Sequence, residues 1–423
     1  MIGQAQSRIA IPSSPLRVLY VEISRDGTAG GSHQSLLDLV RHLDRDRVEP
    51  VVLFYENNRY SRKIRDAGVP LILWDDEVSQ ELRRFAAGGR VQRLRVMADA
   101  IARRRRLIKA EEIDLVHLNN SPIIGWEDWL PAARSTGTKC VANCLGSYEA
   151  PEGALARWAV SHFDRVVANS DHIARDLAAE GIPRARIRRV YPGVDTERVR
   201  ERATRGRDEM ASAIGLNPQH FWVVMVGHIR RWKGQHVLVR ALEHLPEKLR
   251  MTTQAVLVGA SGSFDKPYRE ELRREIKARG LQEQIHFLGE RDDVPDLMRA
   301  ADVLVHASVD PEPFGLVVVE GMALGKPVVA SSLGGPAEIV TEGTGVLYDP
   351  GDPSALARSL SLLANDAQRR HAMGRAGRKR AERFSIHRST ADMQGIYDEL
   401  FNASEPEDTT SWESGPRKEP TGG

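Results

Sequence analysis

The first half of the chain alternates short apolar runs with segments whose apolar residues recur every three or four positions. This alternation predicts strands separated by helices, and parallel strands need such a crossover between them. Residues 16–195 therefore predict one doubly wound α/β domain with a parallel sheet. The predicted strands are 16–23, 48–55, 70–74, 114–118, 140–145, 165–170 and 186–195, and the predicted helices are 33–43, 60–67, 155–162 and 171–180.

A second series of the same kind follows a charged stretch at 196–211 and predicts a second parallel-sheet domain over 196–383. Ligands of such sheets bind at the carboxyl ends of the strands, so we expect a cleft there. Residues 384–402 predict a final amphipathic helix, and the polar tails 1–15 and 403–423 are expected to be flexible. The second domain has predicted strands at 221–227, 253–259, 285–289, 303–308, 327–331 and 345–348, and predicted helices at 235–244, 268–279, 293–300, 353–364 and 366–383.

The composition favours neither a nucleic-acid partner nor a secreted or membrane-spanning protein. The 60 Lys and Arg residues nearly balance the 58 Asp and Glu residues, so no general positive charge favours nucleic acid. Cys140 and Cys144 stand in one apolar run, which suits buried thiols in a reducing compartment. No run approaches the roughly 18 apolar residues of a membrane span, and the N-terminus has no apolar signal core. We therefore expect a cytoplasmic protein.

The stretch from Asp310 to Ser331, DPEPFGLVVVEGMALGKPVVAS, carries the strongest chemical signal. Its two early prolines keep the chain non-helical before Phe314, so the first helical turn falls at Gly315–Val317 and leaves backbone N–H groups without intrahelical partners. Such donors form an anion site. Glu320 lies on the same side of the helix, where its carboxylate can accept hydrogen bonds from two sugar hydroxyls. The pattern predicts a nucleotide site; a buried helix merely bounded by Gly and Pro is the alternative.

Glu312 and Glu320 stand with seven residues between them, and Glu312 opens the sequence E-P-F-G-L. This pattern resembles the signature of glycosyltransferase family 4, whose members are retaining enzymes of the GT-B fold. The resemblance implies two facing Rossmann-like domains, with the last helix crossing back to the first domain. It also implies transfer of a sugar from a nucleoside-diphosphate sugar to a hydroxyl of a glycan or lipid-linked acceptor. Glu312 would then contact the donor sugar, while Glu320 and the residues Phe314, Gly315, Leu316 and Val317 would bind the donor.

The first strand of the second domain ends in the sequence VGHIRRWKG, which is similar to a second segment of the family. Relatives usually have Gly-Arg-Leu, three variable residues and Lys-Gly, and both basic residues contact the donor diphosphate. Gly227 and Lys233 match this pattern, and the resemblance implies that Lys233 is catalytic. His228 stands where the arginine is usual, so His228, Arg230 or Arg231 replaces it; a solvated lysine at a helix start is the alternative for Lys233.

Two glycine pairs precede predicted helices. Gly30 and Gly31 follow the first strand and let the backbone approach a ligand, although a tight turn explains them equally well. The resemblance implies that this pair faces the donor diphosphate or the acceptor. The second pair, in the sequence GGPAEIV, precedes Glu338, which we do not expect to be catalytic.

Residues at the ends of two first-domain strands are candidates for contact with the acceptor. The resemblance implies this role for His117 and Asn119 in DLVHLNN, although a strand-end histidine is more often a local hydrogen-bonding group. Leu145 stands where many relatives have a further histidine, and Asn143 or Ser147 is the expected substitute.

The resemblance implies a reaction without a metal or other cofactor. No Asp-x-Asp motif stands at a predicted strand end, so the leaving charge would be stabilised by Lys233, an arginine and the amides of Gly315–Val317. Glu320, at the ribose, lies too far from the anomeric carbon for a two-carboxylate mechanism. The leaving phosphate itself would accept the proton of the incoming hydroxyl.

Residues 81–110 hold ten basic and two acidic residues, a local excess in a nearly neutral chain. Val91, Leu94, Met97 and Ile101 recur near helical spacing, which predicts a basic amphipathic helix. Such a helix suits an anionic membrane surface, and it equally suits a helix packed on the domain with a solvated basic face. The first alternative predicts peripheral attachment to the inner face of the membrane.

Two other classes share the expected fold. A nucleotide-sugar 2-epimerase would isomerise the donor without an acceptor, but its signature lacks the E-P-F-G-L spacing. A non-catalytic sugar-nucleotide binding protein would keep the donor site and lose turnover. An assay that distinguishes transfer, epimerised donor and binding separates the three.

Overall fold

The computed structural model describes residues 14–22, 31–74, 83–120, 129–146, 161–262 and 265–402. Two sheets, each parallel throughout, form the cores of two domains, with strand orders β3-β2-β1-β4-β5-β6-β7 and β10-β9-β8-β11-β12-β13. This architecture confirms the predicted fold class. The strands are β1 Leu16–Glu22, β2 Val48–Phe54, β3 Leu71–Leu73, β4 Leu115–Asn119, β5 Lys139–Cys144, β6 Arg165–Ala168, β7 Ile187–Arg189, β8 Phe221–Val226, β9 Thr253–Val258, β10 Ile285–Gly289, β11 Val303–His306, β12 Val328–Ser331 and β13 Gly345–Tyr348.

Helices cover both faces of each sheet. In the first domain they are α1 Gly31–His42, α2 Arg59–Asp66, α3 Arg90–Ala110, α4 Leu130–Thr136 and α5 Asp171–Ala179, and residues 83–87 are also helical. In the second part of the chain they are α6 Thr196–Arg202, α7 Arg207–Ile214, α8 Gln235–Glu243, α9 Glu247–Met251, α10 Lys266–Ala278, α11 Val294–Ala300, α12 Leu316–Ala323, α13 Pro336–Ile339, α14 Pro353–Asn365, α15 Ala367–Ala381 and α16 Ile386–Phe401.

Both faces of the first sheet are buried, which explains why its strands are nearly continuous apolar runs. On β1, Leu19 and Val21 pack beneath α3, α4 and α5, while Val18 and Tyr20 pack beneath α1, α2 and α16. A strand buried on both sides loses the apolar and polar alternation of a half-exposed strand. Each sheet therefore lies in the middle layer of its domain.

The final helix α16 returns to the first domain, as the resemblance implies. It packs on α1, and its acidic residues pair with first-domain arginines: Asp398 with Arg47, and Glu399 with Arg165 at 2.6 Å and with Arg188. These ion pairs and the apolar face of the helix attach the end of the second domain to the outside of the first.

Several elements differ from the sequence predictions. The charged stretch 196–211 contains α6 and most of α7, and α6 begins where the Asp195 carboxylate accepts the Arg198 N–H at 3.0 Å. The short helix α4 was also not predicted, and it ends at Gly137. Of the predicted helix 155–162, residues 155–160 lie outside the described part, as do residues 1–13 and 403–423 of the tails.

Candidate active site

A cleft of about 630 Å³ separates the two domains at the carboxyl ends of their strands. The second domain supplies the charged wall, which comes from the end of β8 and the segment 312–320. The first domain supplies an opposite wall of small, amide and apolar residues. The lining residues from the second domain are Val226, Gly227, Arg230, Lys233, Glu312, Pro313, Phe314, Gly315, Leu316, Val317 and Glu320, and those from the first are Gly31, Ser32, Ser35, Asn120, Leu145, Gly146, Asn169 and Pro192.

The helix α12 begins at this cleft, with the backbone N–H groups of its first turn at the cleft wall. No side chain caps the helix, so the N–H groups of its first turn have no such partner. Gly315 precedes the helix with a φ of 102°, a conformation that side-chain-bearing residues rarely adopt. Gly315, Leu316 and Val317 all line the cleft, as the sequence predicts for an anion site. Phe314 also borders it, but its ring packs on Tyr191 and Phe384.

Glu312 and Lys233 meet inside the cleft. The Lys233 Nζ atom lies 2.8 Å from Oε1 and 2.7 Å from Oε2 of Glu312. Two further groups hold the same carboxylate: His306 Nε2 lies 2.6 Å from Oε2, and the Ser308 hydroxyl donates to Oε2 at 2.9 Å. Burial alone would raise the pKa of Glu312, but the His306 and Lys233 cations outweigh it and hold the pKa well below its usual range. Glu312 is therefore an ionised, firmly oriented carboxylate.

A tight turn delivers Lys233 to this position. The 3₁₀ turn Arg231–Lys233 ends at Gly234, which has a φ of 77°. A Cβ atom on Gly234 would lie 1.8 Å from the Ala307 carbonyl oxygen, so only glycine permits the close approach. The Trp232 ring lies 4.2 Å from Lys233 Nζ, which adds a cation–π contact.

The structure places Arg231 outside the lining of the cleft. Its guanidinium pairs with Glu271 and stacks over Tyr268 at 5.1 Å, whereas Arg230 lines the cleft. His228 is not among the lining residues, and its backbone carbonyl accepts a hydrogen bond from Gln235 at 2.9 Å. Arg230 is thus the basic residue that faces the cleft beside Lys233, held by Asp265 at 3.2 Å.

Glu320 lies one helical turn into α12, on the cleft side. It lines both the main cleft and an adjoining cavity of about 250 Å³. Burial raises the pKa of Glu320 to about 7, and the negative charge of Asp38 adds to the rise. The carboxyl group is therefore separated from the Glu312 cluster and lies in a different electrostatic environment.

The four first-domain residues predicted for the site have different positions in the structure. Gly31 begins α1 and lines the cleft, while Gly30 lies outside the described residues. His117 lies in the core and not in the cleft: its ring is fully buried, stacks on Tyr20 and hydrogen-bonds to the Tyr397 hydroxyl of α16 at 2.6 Å. Burial lowers the pKa of His117 to about 4, so it is a neutral core histidine. Asn119 is buried beside the cleft, and its amide donates to the Glu22 carboxylate at 2.6 Å.

Three site residues escaped the sequence predictions. His306 and Ser308 stand in the run VLVHAS, and a polar pair directly after a buried strand was the available signal. Glu338 connects the two domains: its carboxylate accepts hydrogen bonds from the backbone N–H groups of Asp171 and His172 at 2.9 and 2.8 Å. It thereby caps the N-terminus of α5 in the opposite domain.

The two facing sheets, the uncapped helix start and the carboxylate cluster define a two-domain glycosyltransferase of the GT-B class. The family model described as Glycosyltransferase Family 4 matches residues 29–198, and the model described as Glycosyl transferases group 1 matches residues 206–380. A D-inositol 3-phosphate glycosyltransferase from Salinispora tropica is 32% identical over 410 aligned positions, which cover 88% of this chain and 82% of the relative. The chain belongs to glycosyltransferase family 4, and it is a glycosyltransferase.

Solved structures share the same fold. Anabaena Alr3699/HepE in complex with UDP superposes with a TM-score of 0.73 at 23% identity, covering 92% of this chain and 100% of that one. A glycosyltransferase from Rickettsia africae superposes with a TM-score of 0.79 at 20% identity and the same coverage. These similarities confirm the GT-B fold.

Proposed function

We propose that the protein transfers a sugar from a nucleoside-diphosphate sugar to a hydroxyl of a glycan or lipid-linked acceptor, with retention of configuration and without a metal. The observation that carries the proposal is the meeting of three groups in one cleft. These groups are the uncapped start of α12, the Lys233 and Glu312 pair, and the Glu320 carboxyl on the same helix.

Each group suits one part of the donor. The N–H groups at Gly315–Val317, with Lys233 and Arg230, offer charge and hydrogen bonds to a diphosphate. Glu320, one turn along the helix, offers a carboxylate to the ribose hydroxyls. Structures of Anabaena Alr3699/HepE hold UDP, UDP with glucose, and UDP-glucose, which supports a donor of this class for the present chain.

Glu312 would contact the hydroxyls of the transferred sugar. In the proposed complex the diphosphate competes with Glu312 for the Lys233 ammonium group. His306 and Ser308 continue to hold the carboxylate through Oε2, which keeps Glu312 ionised and oriented while Lys233 turns to the phosphate. Lys233 is therefore placed to stabilise the leaving group, and Glu312 to hold the sugar.

The proposed reaction exchanges two bonds on one face of the sugar. The bond from the anomeric carbon to the β-phosphate oxygen breaks, and a bond from that carbon to the acceptor oxygen forms. The proton of the acceptor hydroxyl passes to the departing phosphate oxygen. Lys233, Arg230 and the amides at the start of α12 balance the charge that develops on the diphosphate, which supports a metal-independent reaction. In the described part of the chain, no three His, Cys, Asp or Glu side chains form a cluster suited to a metal ion.

The experiment is incubation of the purified protein with a panel of nucleotide sugars, with and without candidate acceptors. We expect acceptor-dependent release of the nucleoside diphosphate and an unchanged rate after chelation with EDTA. Epimerised donor without transfer would favour a 2-epimerase, and binding without turnover would favour a binding protein. Loss of activity on chelation, restored by magnesium or manganese, would contradict metal independence.

We also propose that the protein attaches to anionic membrane surfaces through the basic helix α3. Val91 and Leu94 are each 66% exposed, so half of the predicted apolar stripe does not pack on the domain. None of the described helices has the length and apolar composition needed to cross a bilayer. Apolar side chains beside exposed arginines suit a membrane surface instead.

Arg104 is excluded from this surface because it is fully buried between the Trp74 and Trp129 rings, at 5.5 and 5.3 Å. The test is cosedimentation with vesicles that contain phosphatidylglycerol, comparing the wild type with charge reversal at Arg105 and Arg106, which are exposed. We expect salt-sensitive binding that the reversal abolishes. Equal sedimentation of both proteins would contradict membrane attachment through α3.

A further inference from the structure

The glycine pair of the sequence GGPAEIV lies against the loop that carries Glu312. Glu312 and Gly334 form an isolated parallel bridge, and the Gly335 N–H donates to the Glu312 carbonyl at 2.8 Å. A Cβ atom on Gly334 would collide with that carbonyl oxygen, and one on Gly335 would collide with the Cα atom of Phe314. Only glycine permits two backbones to approach so closely. A shift of the segment 334–338 therefore shifts the backbone of Glu312 and Phe314 with it.

The other end of this segment binds the first domain through Glu338. The Asp171 N–H donates to Oε2 of Glu338 at 2.9 Å, and the His172 N–H donates to Oε1 at 2.8 Å. These are the first two N–H groups of α5, where the helix dipole also favours a carboxylate. The third is satisfied within the first domain, because the Ser170 hydroxyl accepts the Ile173 N–H at 3.2 Å. A residue of the second domain thus completes the start of α5.

Tyr191 connects the Glu338 carboxylate to Phe314. It lies in the chain connection between the two domains, after β7 and before α6. Its hydroxyl donates to Oε2 of Glu338 at 3.1 Å, and its ring centroid lies 5.7 Å from that of Phe314 and 5.1 Å from that of Phe384. Burial raises the pKa of Tyr191 well above its ordinary value, so the hydroxyl remains a donor. One side chain of the connection therefore contacts both the Glu338 carboxylate and the loop that carries Glu312.

The backbone of Glu338 is anchored in the second domain. The Arg380 guanidinium donates to the Glu338 carbonyl at 2.7 Å and also to the carbonyl of Ile339. The backbone of Glu338 is thus held by one domain while its carboxylate binds the other. Loss of the carboxylate would remove the hydrogen bonds between the domains and leave the Arg380 anchor in place.

This contact joins the two walls of the cleft. The helix α5 begins two residues after Asn169, which lines the first-domain wall, while Glu312 and Phe314 line the opposite wall. Two substrates react only when their reacting atoms approach to about 3–3.5 Å, and a misplacement of about 1 Å lowers the rate strongly. The position of one wall relative to the other is therefore important for a transfer reaction between them.

We propose that Glu338 is a positioning residue for glycosyl transfer, because it binds the start of α5 and thereby places the Glu312 loop relative to the first-domain wall. Tyr191 assists by orienting the Glu338 carboxylate. The inference rests on the proposed function, and neither residue is assigned a contact with substrate. The groups that we propose for the diphosphate and the ribose belong to the second domain. We therefore expect an effect on turnover and not on UDP binding.

The kinetic test compares the full-length Glu338→Ala variant with Glu342→Ala, which replaces an exposed glutamate four residues further along the chain. We expect Glu338→Ala to lose about 10-fold or more in kcat for acceptor-dependent release of the nucleoside diphosphate. Its Kd for UDP should stay within about twofold of the wild-type value, and the control should retain both. An unchanged kcat in folded Glu338→Ala, or an equal loss of UDP affinity, would overturn the positioning role.

The role of Tyr191 is tested with Tyr191→Phe, which keeps the ring and removes the hydroxyl. Because this hydrogen bond has an uncharged donor that acts through Glu338, we expect a smaller loss of kcat, about 3- to 10-fold. Combined with Glu338→Ala, Tyr191→Phe should cause no further loss. Losses that multiply in the double variant would show that Tyr191 does not act through Glu338.

Hydrogen exchange tests the same coupling without catalysis. In Glu338→Ala we expect about 10-fold faster amide exchange at two places, the start of α5 at residues 171–172 and the N–H of Gly335, which binds the Glu312 carbonyl. Faster exchange at α5 alone would show that Glu338 is only a helix cap and would overturn the proposal. If both places exchange faster but the wild type releases no nucleoside diphosphate from any nucleotide sugar, the coupling is supported and the proposed function is contradicted.

Discussion

Replacement of His306 gives the sharpest prediction, because His306 would affect catalysis only by orienting Glu312 and keeping it ionised. Its Nε2 atom lies 2.6 Å from the Glu312 carboxylate, and its side chain is 3% exposed. Replacement by alanine removes a hydrogen bond to a charged group in a buried site. Such bonds contribute about 1.5–3 kcal/mol, which corresponds to a loss of about 10- to 150-fold in kcat/KM.

The pH profile separates this positioning role from a merely structural one. The His306 charge helps hold the pKa of Glu312 below its usual range, and Glu312 must be ionised to act. Removing the charge raises the pKa of Glu312, so the acid limb of the kcat/KM profile moves to higher pH. His306→Gln keeps a hydrogen-bond donor but not the charge, so it should recover part of the rate and retain the shifted limb.

The assay is nucleoside-diphosphate release from the best donor of the panel, measured from acidic to neutral pH. Ser308→Ala, which removes only a neutral donor to the same oxygen, is the matched control and should lose less than about 10-fold. A kcat/KM of His306→Ala within twofold of the wild-type value, with the acid limb at the same pH, would show that His306 does not act through Glu312.

Three further predictions follow from the same geometry. Gly234→Ala should abolish donor binding in thermal-shift titrations and lower the melting temperature, because its Cβ would lie 1.8 Å from the Ala307 oxygen; retained UDP binding would contradict this. In the wild type, UDP affinity should weaken as pH falls through about 7. Glu320, whose pKa is raised to about 7, becomes protonated there and can no longer accept two hydrogen bonds from the ribose as a carboxylate. Glu320→Gln should bind weakly at all pH values, and a pH dependence identical to that of the wild type would refute the ribose role. Glu338→Ala should expand the molecule in small-angle scattering, because two hydrogen bonds to α5 hold the domains together; unchanged scattering and melting temperature would argue against that contact.

The residues of the proposed donor site could be predicted to lie together because they are close in the sequence. The run from Glu312 to Glu320 contains the loop, the helix start and both carboxylates, so spacing and resemblance together locate them. Lys233 was found in the same way, since the turn that places it also lies within a few residues.

The placements that the sequence could not predict depend on contacts between distant segments. His117 reads as a strand-end histidine, and only the return of α16 buries it against Tyr397, 280 residues later. Arg230 and not Arg231 lines the cleft because Arg231 pairs with Glu271, whereas Arg230 pairs with Asp265. Glu338 likewise gains its role from the opposite domain. Local periodicity contains no information about such pairings.

The proposed function requires that Glu312 and Lys233 act together on the donor, and the decisive measurement is the turnover of Glu312→Gln and Lys233→Ala. Lys248→Ala, an exposed lysine outside the cleft, is the control. With melting temperatures confirming folded protein, we expect each cleft variant to lose most acceptor-dependent release of the nucleoside diphosphate while the control retains it. Near-normal turnover in both cleft variants would show that the pair does not act on the donor.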